Sequence, residues 1–258
     1  MKDEQCQRMA DDLLALGVRP GGVLLVHASL RSLGALAGGA ETAVAGLLAA
    51  LGPEGTLLMP ALSYQHVTAQ QPVFDVRLTP SNVGALPEYF RTRPGTLRSM
   101  HPTHSVCGYG PLAGEILSRH DEDRTPCGPH SPFHLLPRYQ GQILMLGCGL
   151  RPNTSMHAIE ELVEPPYLYG GLLTYRLVDW QGNAREATYR VHGFQGWAQR
   201  YDRVTGVLGE PALRRGPVLA AQAHLLDAAA LWSAALAALR SDPLFFVEPV
   251  VEEVQHLP

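Results

Sequence analysis

Val23-Leu24-Leu25-Val26 and, further along, Thr56-Leu57-Leu58-Met59 are the two stretches that decide the fold. Each is a short, continuous apolar run, the pattern of a strand buried on both faces of a sheet. Between them Val44, Leu47, Leu48 and Leu51 recur at the spacing of a buried helical stripe, and Gly52 stops that helix. Strand, helix and strand in this order make a βαβ unit, whose crossover forces at least part of the sheet to be parallel. The expected fold class is therefore α/β, with a mixed, partly parallel central sheet covered by helices.

The pattern extends in both directions. An amphipathic helix is expected over Gln7 to Leu16, ending at Gly17, while Ser63 to Ser81 reads as loop. Val83 to Arg91 reads as helix, Arg98 to Gly110 as strand or loop, and Pro111 to His120 as helix. Ile143 to Leu146 is another buried-looking strand, and it leads through glycines into a short helix that Pro165-Pro166 cannot continue. Thr174 to Trp180 and Arg185 to Val191 flank Gln181-Gly182-Asn183, the signal of an antiparallel hairpin insertion. A last strand is expected near Val218 to His224, followed by a helix with Asp227 as its N-cap. No repeat or linker breaks the chain, so residues 1–258 read as one domain.

Hydrophobic residues make up 46% of the 258 positions and charged residues 17%, enough apolar material for a sizeable core. A formal net charge of -4 argues against a nucleic-acid binder, which would carry a basic patch. Cys6, Cys107, Cys127 and Cys148 are scattered without a C-x-x-C pair, so they read as free thiols of a reduced, cytoplasmic protein. The acidic start at Met1-Lys2-Asp3-Glu4-Gln5 has no apolar core of a signal peptide, and no apolar run approaches a membrane span.

Chemistry concentrates in Gly147-Cys148-Gly149 and the segment Asn153-Thr154-Ser155-Met156-His157-Ala158-Ile159-Glu160-Glu161. On a helix, residues three and four apart are neighbours, so His157 can meet Glu160 or Glu161. An imidazole held by a carboxylate at the end of a strand suits a general base, although a helix-surface histidine beside solvated glutamates has the same spacing. His27-Ala28-Ser29-Leu30-Arg31 leaves the first strand with backbone amides, a hydroxyl and a guanidinium able to receive a phosphate. Gly108-Tyr109-Gly110-Pro111-Leu112-Ala113 imitates a dinucleotide fingerprint but lacks its strand–turn–helix setting, and no Walker A sequence occurs. His101 with His104, or His130 with His134, has a chelating spacing, but without H-E-x-x-H or paired cysteines no metal is expected. Cys148 paired with His157 would be a nucleophile; the plainer reading is a small residue in a tight loop.

Taken in order, several segments resemble the aminoglycoside 3-N-acetyltransferase family. They are His27 to Gly34, Gly55-Thr56-Leu57-Leu58-Met59-Pro60, Thr79 to Arg91, Arg98 to Ser105, Gly128-Pro129-His130-Ser131-Pro132 and Asn153 to Glu160. The resemblance implies the fold of that family and transfer of acetyl from acetyl-CoA, as co-substrate, to an amine of an aminoglycoside. Carried over by residue, it makes His157 the base, Glu160 its partner, and Glu88 a further glutamate that orients a histidine or binds the amine. It places His27, Ser29, Leu30, Arg31, His101 and Ser105 along the coenzyme, and it makes Tyr64, Asp75 and Glu161 candidates for the acceptor. A small-molecule amine is then the partner, with no nucleic acid and no membrane, and a homodimer stays open. Two other acceptor or reaction classes compete: a different amine substrate, or a metal- or thiol-dependent hydrolase. A coenzyme-binding module without turnover is a third possibility, which the His157–Glu160 pair disfavours. Aminoglycosides are polycations that call for several carboxylates, yet the loop from Ser63 to Arg77 offers only Asp75.

Overall fold

A computed structural model describes residues 1–250. In chain order it contains α1 (Lys2–Leu16), β1 (Val23–Ala28), α2 (Ala40–Leu51), β2 (Thr56–Pro60), β3 (Val73–Asp75), α3 (Ala85–Thr92), β4 (Leu97–Arg98), β5 (Val106–Tyr109), α4 (Ala113–Leu117) and α5 (Pro132–Leu135). Then come β6 (Gln142–Leu146), α6 (Ser155–Glu160), β7 (Tyr169–Val178), β8 (Ala184–His192), β9 (Trp197–Gln199), β10 (Leu213–Val218), β11 (Ala221–Asp227), α7 (Ala228–Ser241) and β12 (Val247–Pro249).

The central sheet has the strand order β10-β11-β6-β1-β2-β5-β4. β1 lies at its middle and pairs in parallel with both β2 and β6, while β11 and β5 flank these antiparallel. Alternate residues of the middle strands point to opposite layers, as the strand period of two requires. Val23 and Leu25 join Ile143, Met145 and Leu58 against Leu231, Ala235 and Leu239 of α7. Leu24 and Val26 join Leu144, Leu146, Leu57 and Met59 against α1 and α2. Apart from His27, Thr56 and Gln142 near their ends, these strands are apolar because both faces are covered; full burial of each leucine is worth about 1.5–3 kcal/mol.

The structure departs from the sequence reading at four places. α1 starts at Lys2, earlier than Gln7. The segment read as loop from Ser63 to Ser81 contains β3, which adds in parallel to β7 of the hairpin and buries Phe74. Three residues are too few to display a period. The segment Pro111 to His120 is helical only over α4. The strand expected near Val218 to His224 is present over residues 221–224 as the first part of β11, but its start is a corner: Val218 ends β10, and Leu219, at a φ of 53°, turns the chain into β11. No glycine or asparagine marks that corner; the Asp12 carboxylate holds it instead, accepting the Leu219 N–H at 2.8 Å.

The ends that matter for function are the C-terminal ends of β6, β1 and β2, which parallel pairing brings to one side of the sheet. Gly147 follows β6 with a φ of 70°, and a Cβ there would come within 2.5 Å of the Ser32 Cβ. Glycine is thus required for the loop after β6 to lie against the loop after β1. The hairpin of β7 and β8 folds over the same side, its turn fixed by Asp179, which accepts the N–H groups of Gln181 and Asn183. Asp227 caps α7 by accepting the Ala230 N–H. Among the described residues no helix is long and apolar enough to cross a membrane.

Candidate active site

A cavity of about 660 Å³ opens over the ends of β1, β2 and β6 and is closed above by β7 and β8. Its floor comes from Val26, His27 and Ala28, one wall from Cys148 and Arg151 to Thr154, and its roof from Leu173, Tyr175, Val191 and His192. His157 lies at its inner end.

Asn153, just ahead of α6, turns the chain into the helix: its side chain accepts the Ser155 N–H at 3.2 Å and its carbonyl the Met156 N–H at 3.1 Å. All six residues of α6 are buried. The His157 Nδ1 lies 2.9 Å from the Glu160 Oε2. Glu160 is fully buried and accepts two more hydrogen bonds, from the Tyr201 hydroxyl at 2.8 Å and the Tyr167 hydroxyl at 2.8 Å. Burial, then the Glu160 charge, holds both phenols far above their ordinary range, so they remain donors. A carboxylate only accepts, so the proton between the pair belongs to Nδ1. Nε2 is left as the basic nitrogen of a ring that lines the cavity.

Two further histidines complete the inner end. His104 and His157 have ring centroids 6.2 Å apart, and His192 lies 4.7 Å from His157. Burial, reinforced by the neighbouring imidazoles, holds His104 and His192 well below the ordinary histidine range. His27 is lowered to about 3, chiefly by burial and then by His157, and its Nε2 is buried without a partner.

The other sequence-derived candidates separate into three groups. Tyr64 lines the cavity, with its ring 6.5 Å from that of His104. Ser29, Leu30 and Arg31 line a second, shallower hollow together with Gly84 and Ala85 at the start of α3. Ala28 borders both hollows. The remaining candidates face neither. His101 is buried, with Nδ1 accepting the N–H groups of Thr103 and His104, so it shapes a turn. Ser105 is buried between Arg98 and the Ala61 carbonyl. Asp75 binds Arg77 in a bidentate pair, which holds its carboxyl below the usual range. Burial works against the Glu88 charge, but Arg91 and the Ser81 N–H outweigh it. Glu161 is turned away from His157: it accepts from Thr125 Oγ1, Cys127 N and His192 Nε2. Burial raises its pKa.

Cys148 is not paired with an imidazole. Its thiol donates to the His27 carbonyl at 3.5 Å, and burial pushes it up to about 11, so it is not a thiolate nucleophile. All four cysteines are free. Tyr167, Tyr201 and His192 were not visible in the sequence, because each reaches α6 from a separate segment. Tyr167 alone has a local signal, an aromatic residue directly after Pro165-Pro166.

A family model described as aminoglycoside 3-N-acetyltransferase matches residues 25–240. Aminoglycoside N(3)-acetyltransferase IV from a Salmonella species is 35% identical over 243 residues, which cover 92% of this chain and 88% of that one. Among solved structures, a histidine-to-alanine variant of aminoglycoside acetyltransferase AAC(3)-IVa in complex with a gentamicin superposes with a TM-score of 0.80. It is 32% identical, over 93% of this chain and 90% of that one. AAC-IIIb in a binary complex with CoASH has a TM-score of 0.79 and 29% identity, over 90% of this chain and 95% of that one.

Proposed function

The chain belongs to the aminoglycoside 3-N-acetyltransferase family, and on that premise we propose that it moves acetyl from acetyl-CoA directly to the 3-amino group of an aminoglycoside, with His157 as the base. The observation that carries this reading is the buried Glu160 bound to the His157 Nδ1, which leaves Nε2 free on a ring in the cavity. An ammonium group cannot attack a thioester; it must first lose a proton, and imidazole accepts one near neutral pH. Glu160 then faces the imidazolium that forms, and the two phenols keep that carboxylate from turning away.

The coenzyme fits the shallower hollow. Arg31 supplies a cation for phosphate, and α3 has no side-chain cap, so the N–H groups of Ala85 and Leu86 in its first turn are available to an anion. Ala28, common to both hollows, marks the passage by which the acetyl end reaches His157. His27, neutral and with an unpartnered Nε2, is the donor for the oxyanion formed as the amine attacks. Because acetyl-CoA is the donor, the protein works in the cytoplasm.

A second reading concerns the acceptor alone. Among the described residues, those lining the larger cavity include no aspartate or glutamate, and Arg151 is its only arginine or lysine. That wall suits an amine of lower charge than the polycations named for its relatives. The test is thiol release from acetyl-CoA across aminoglycosides that carry a 3-amino group and simpler mono- and diamines. Turnover with an aminoglycoside, and product acetylated at the 3-amine, is the expected result. Turnover only with the simple amines favours the second reading, and none with any amine counts against both.

A further inference from the structure

One ring nitrogen from each of His104, His157 and His192 lies within 4.8 Å of the other two. Two rings are anchored through their second nitrogen by a carboxylate: His157 Nδ1 by Glu160 at 2.9 Å, and His192 Nε2 by Glu161 at 2.9 Å. The third, His104, is anchored through Nδ1 by the Thr103 hydroxyl at 2.9 Å. The nitrogens left over are Nε2 of His104, Nε2 of His157 and Nδ1 of His192. The last of these is buried and has no hydrogen-bond partner. Histidines that bind metal have this arrangement: one nitrogen faces the ion, and the other donates to a carboxylate or similar acceptor that fixes ring and tautomer.

We propose that His104, His157 and His192 form a binding site for a zinc-class divalent cation, and that a cation bound there switches acetyl transfer off. Three imidazoles and no thiolate or carboxylate in the first coordination sphere select zinc, cobalt, nickel or copper over calcium and magnesium. Zinc–imidazole bonds of about 2.0–2.1 Å need ligand nitrogens about 3.4 Å apart in a tetrahedron, so small ring rotations close the site. The fourth position faces the cavity and is left to water or the acceptor amine. The cation takes the lone pair on the His157 Nε2 that would otherwise accept the amine's proton. This inhibitory half rests on His157 being the base; the binding half does not.

Titration of the full chain with Zn²⁺ alone, followed by calorimetry, tests binding independently of turnover. Co²⁺ as a second probe reports imidazole coordination through its visible ligand-field bands. One ion per chain is expected, with His192→Gln and His104→Gln each lowering affinity by more than the about 10–100-fold lost in Glu161→Gln. Circular dichroism establishes that the variants are folded, and the wild-type Co²⁺ spectrum stands without any variant. Zn²⁺ is expected to abolish acetyl transfer and EDTA to restore it. No binding at micromolar metal, or binding insensitive to positions 104 and 192, overturns the site and leaves the transferase reading intact. One tightly bound ion with undiminished acetyl transfer overturns the switch and counts against His157 as base.

Discussion

Replacing His157 with Ala is expected to lower the rate of acetyl transfer by about 10²–10⁴-fold, the contribution of a positioned general base, while acetyl-CoA still binds. The two effects separate because the hollow proposed for the coenzyme is lined by Ser29, Leu30, Arg31 and the start of α3, and His157 does not line it. Glu160→Gln is expected to lower kcat in the same direction with little change in KM for acetyl-CoA. The amide keeps the shape of the carboxylate but loses the charge that fixes the proton on the His157 Nδ1 and faces the imidazolium. Steady-state kinetics with both substrates varied, together with calorimetric binding of CoA, separates these terms. Near-normal turnover in His157→Ala would remove the base from this site.

The second large effect is on stability in acid. His27 and His120 are each lowered to about 3 by burial, against about 6.5 in an unfolded chain. A histidine with a depressed folded pKa binds its proton first in the unfolded state. Stability is therefore complete above 6.5 and is lost as the pH falls from 6.5 toward 3. Two units below 6.5, these two groups alone cost about 5 kcal/mol, comparable with the whole stability of many domains. His101, stacked on His120 with centroids 4.8 Å apart and lowered by the same burial, adds to the loss. Glu161 and Asp123, raised by burial, work in the opposite sense once they begin to protonate. The melting temperature is expected to fall steeply between pH 6.5 and 4.5. His120→Gln, which keeps a polar group near Ser99, is expected to flatten that slope even if it lowers the melting temperature at pH 7. A melting temperature level across this range would show that these imidazoles do not stay neutral in the fold.

The central sheet was legible because β1, β2 and β6 are covered on both faces, and such strands read as continuous apolar runs. β3 and the corner at Leu219 were not legible, since one is three residues long and the other depends on Asp12 from a helix far away in sequence. In the site, spacing alone allowed His157 to meet either Glu160 or Glu161. The tertiary structure separates them: α6 ends at Glu160, and His192 from β8 takes Glu161. His101 and Ser105 sit in a segment that resembles the family, yet they serve the turn between β4 and β5 and the buried Arg98. Similar residues in sequence need not point into the same hollow. The carboxylates named as acceptor ligands, Asp75 and Glu161, line neither hollow for a related reason. Each is consumed by an adjacent donor that composition does not reveal.

Direct transfer from acetyl-CoA to the amine is tested most simply by counting both products in one reaction. Free CoA thiol and acetylated amine should appear together at one to one, with neither forming when the amine is omitted and no acetyl remaining on the protein. Thiol release without an amine, or an acetyl group recovered on Cys148, would contradict it and point to a hydrolase or an acyl-enzyme.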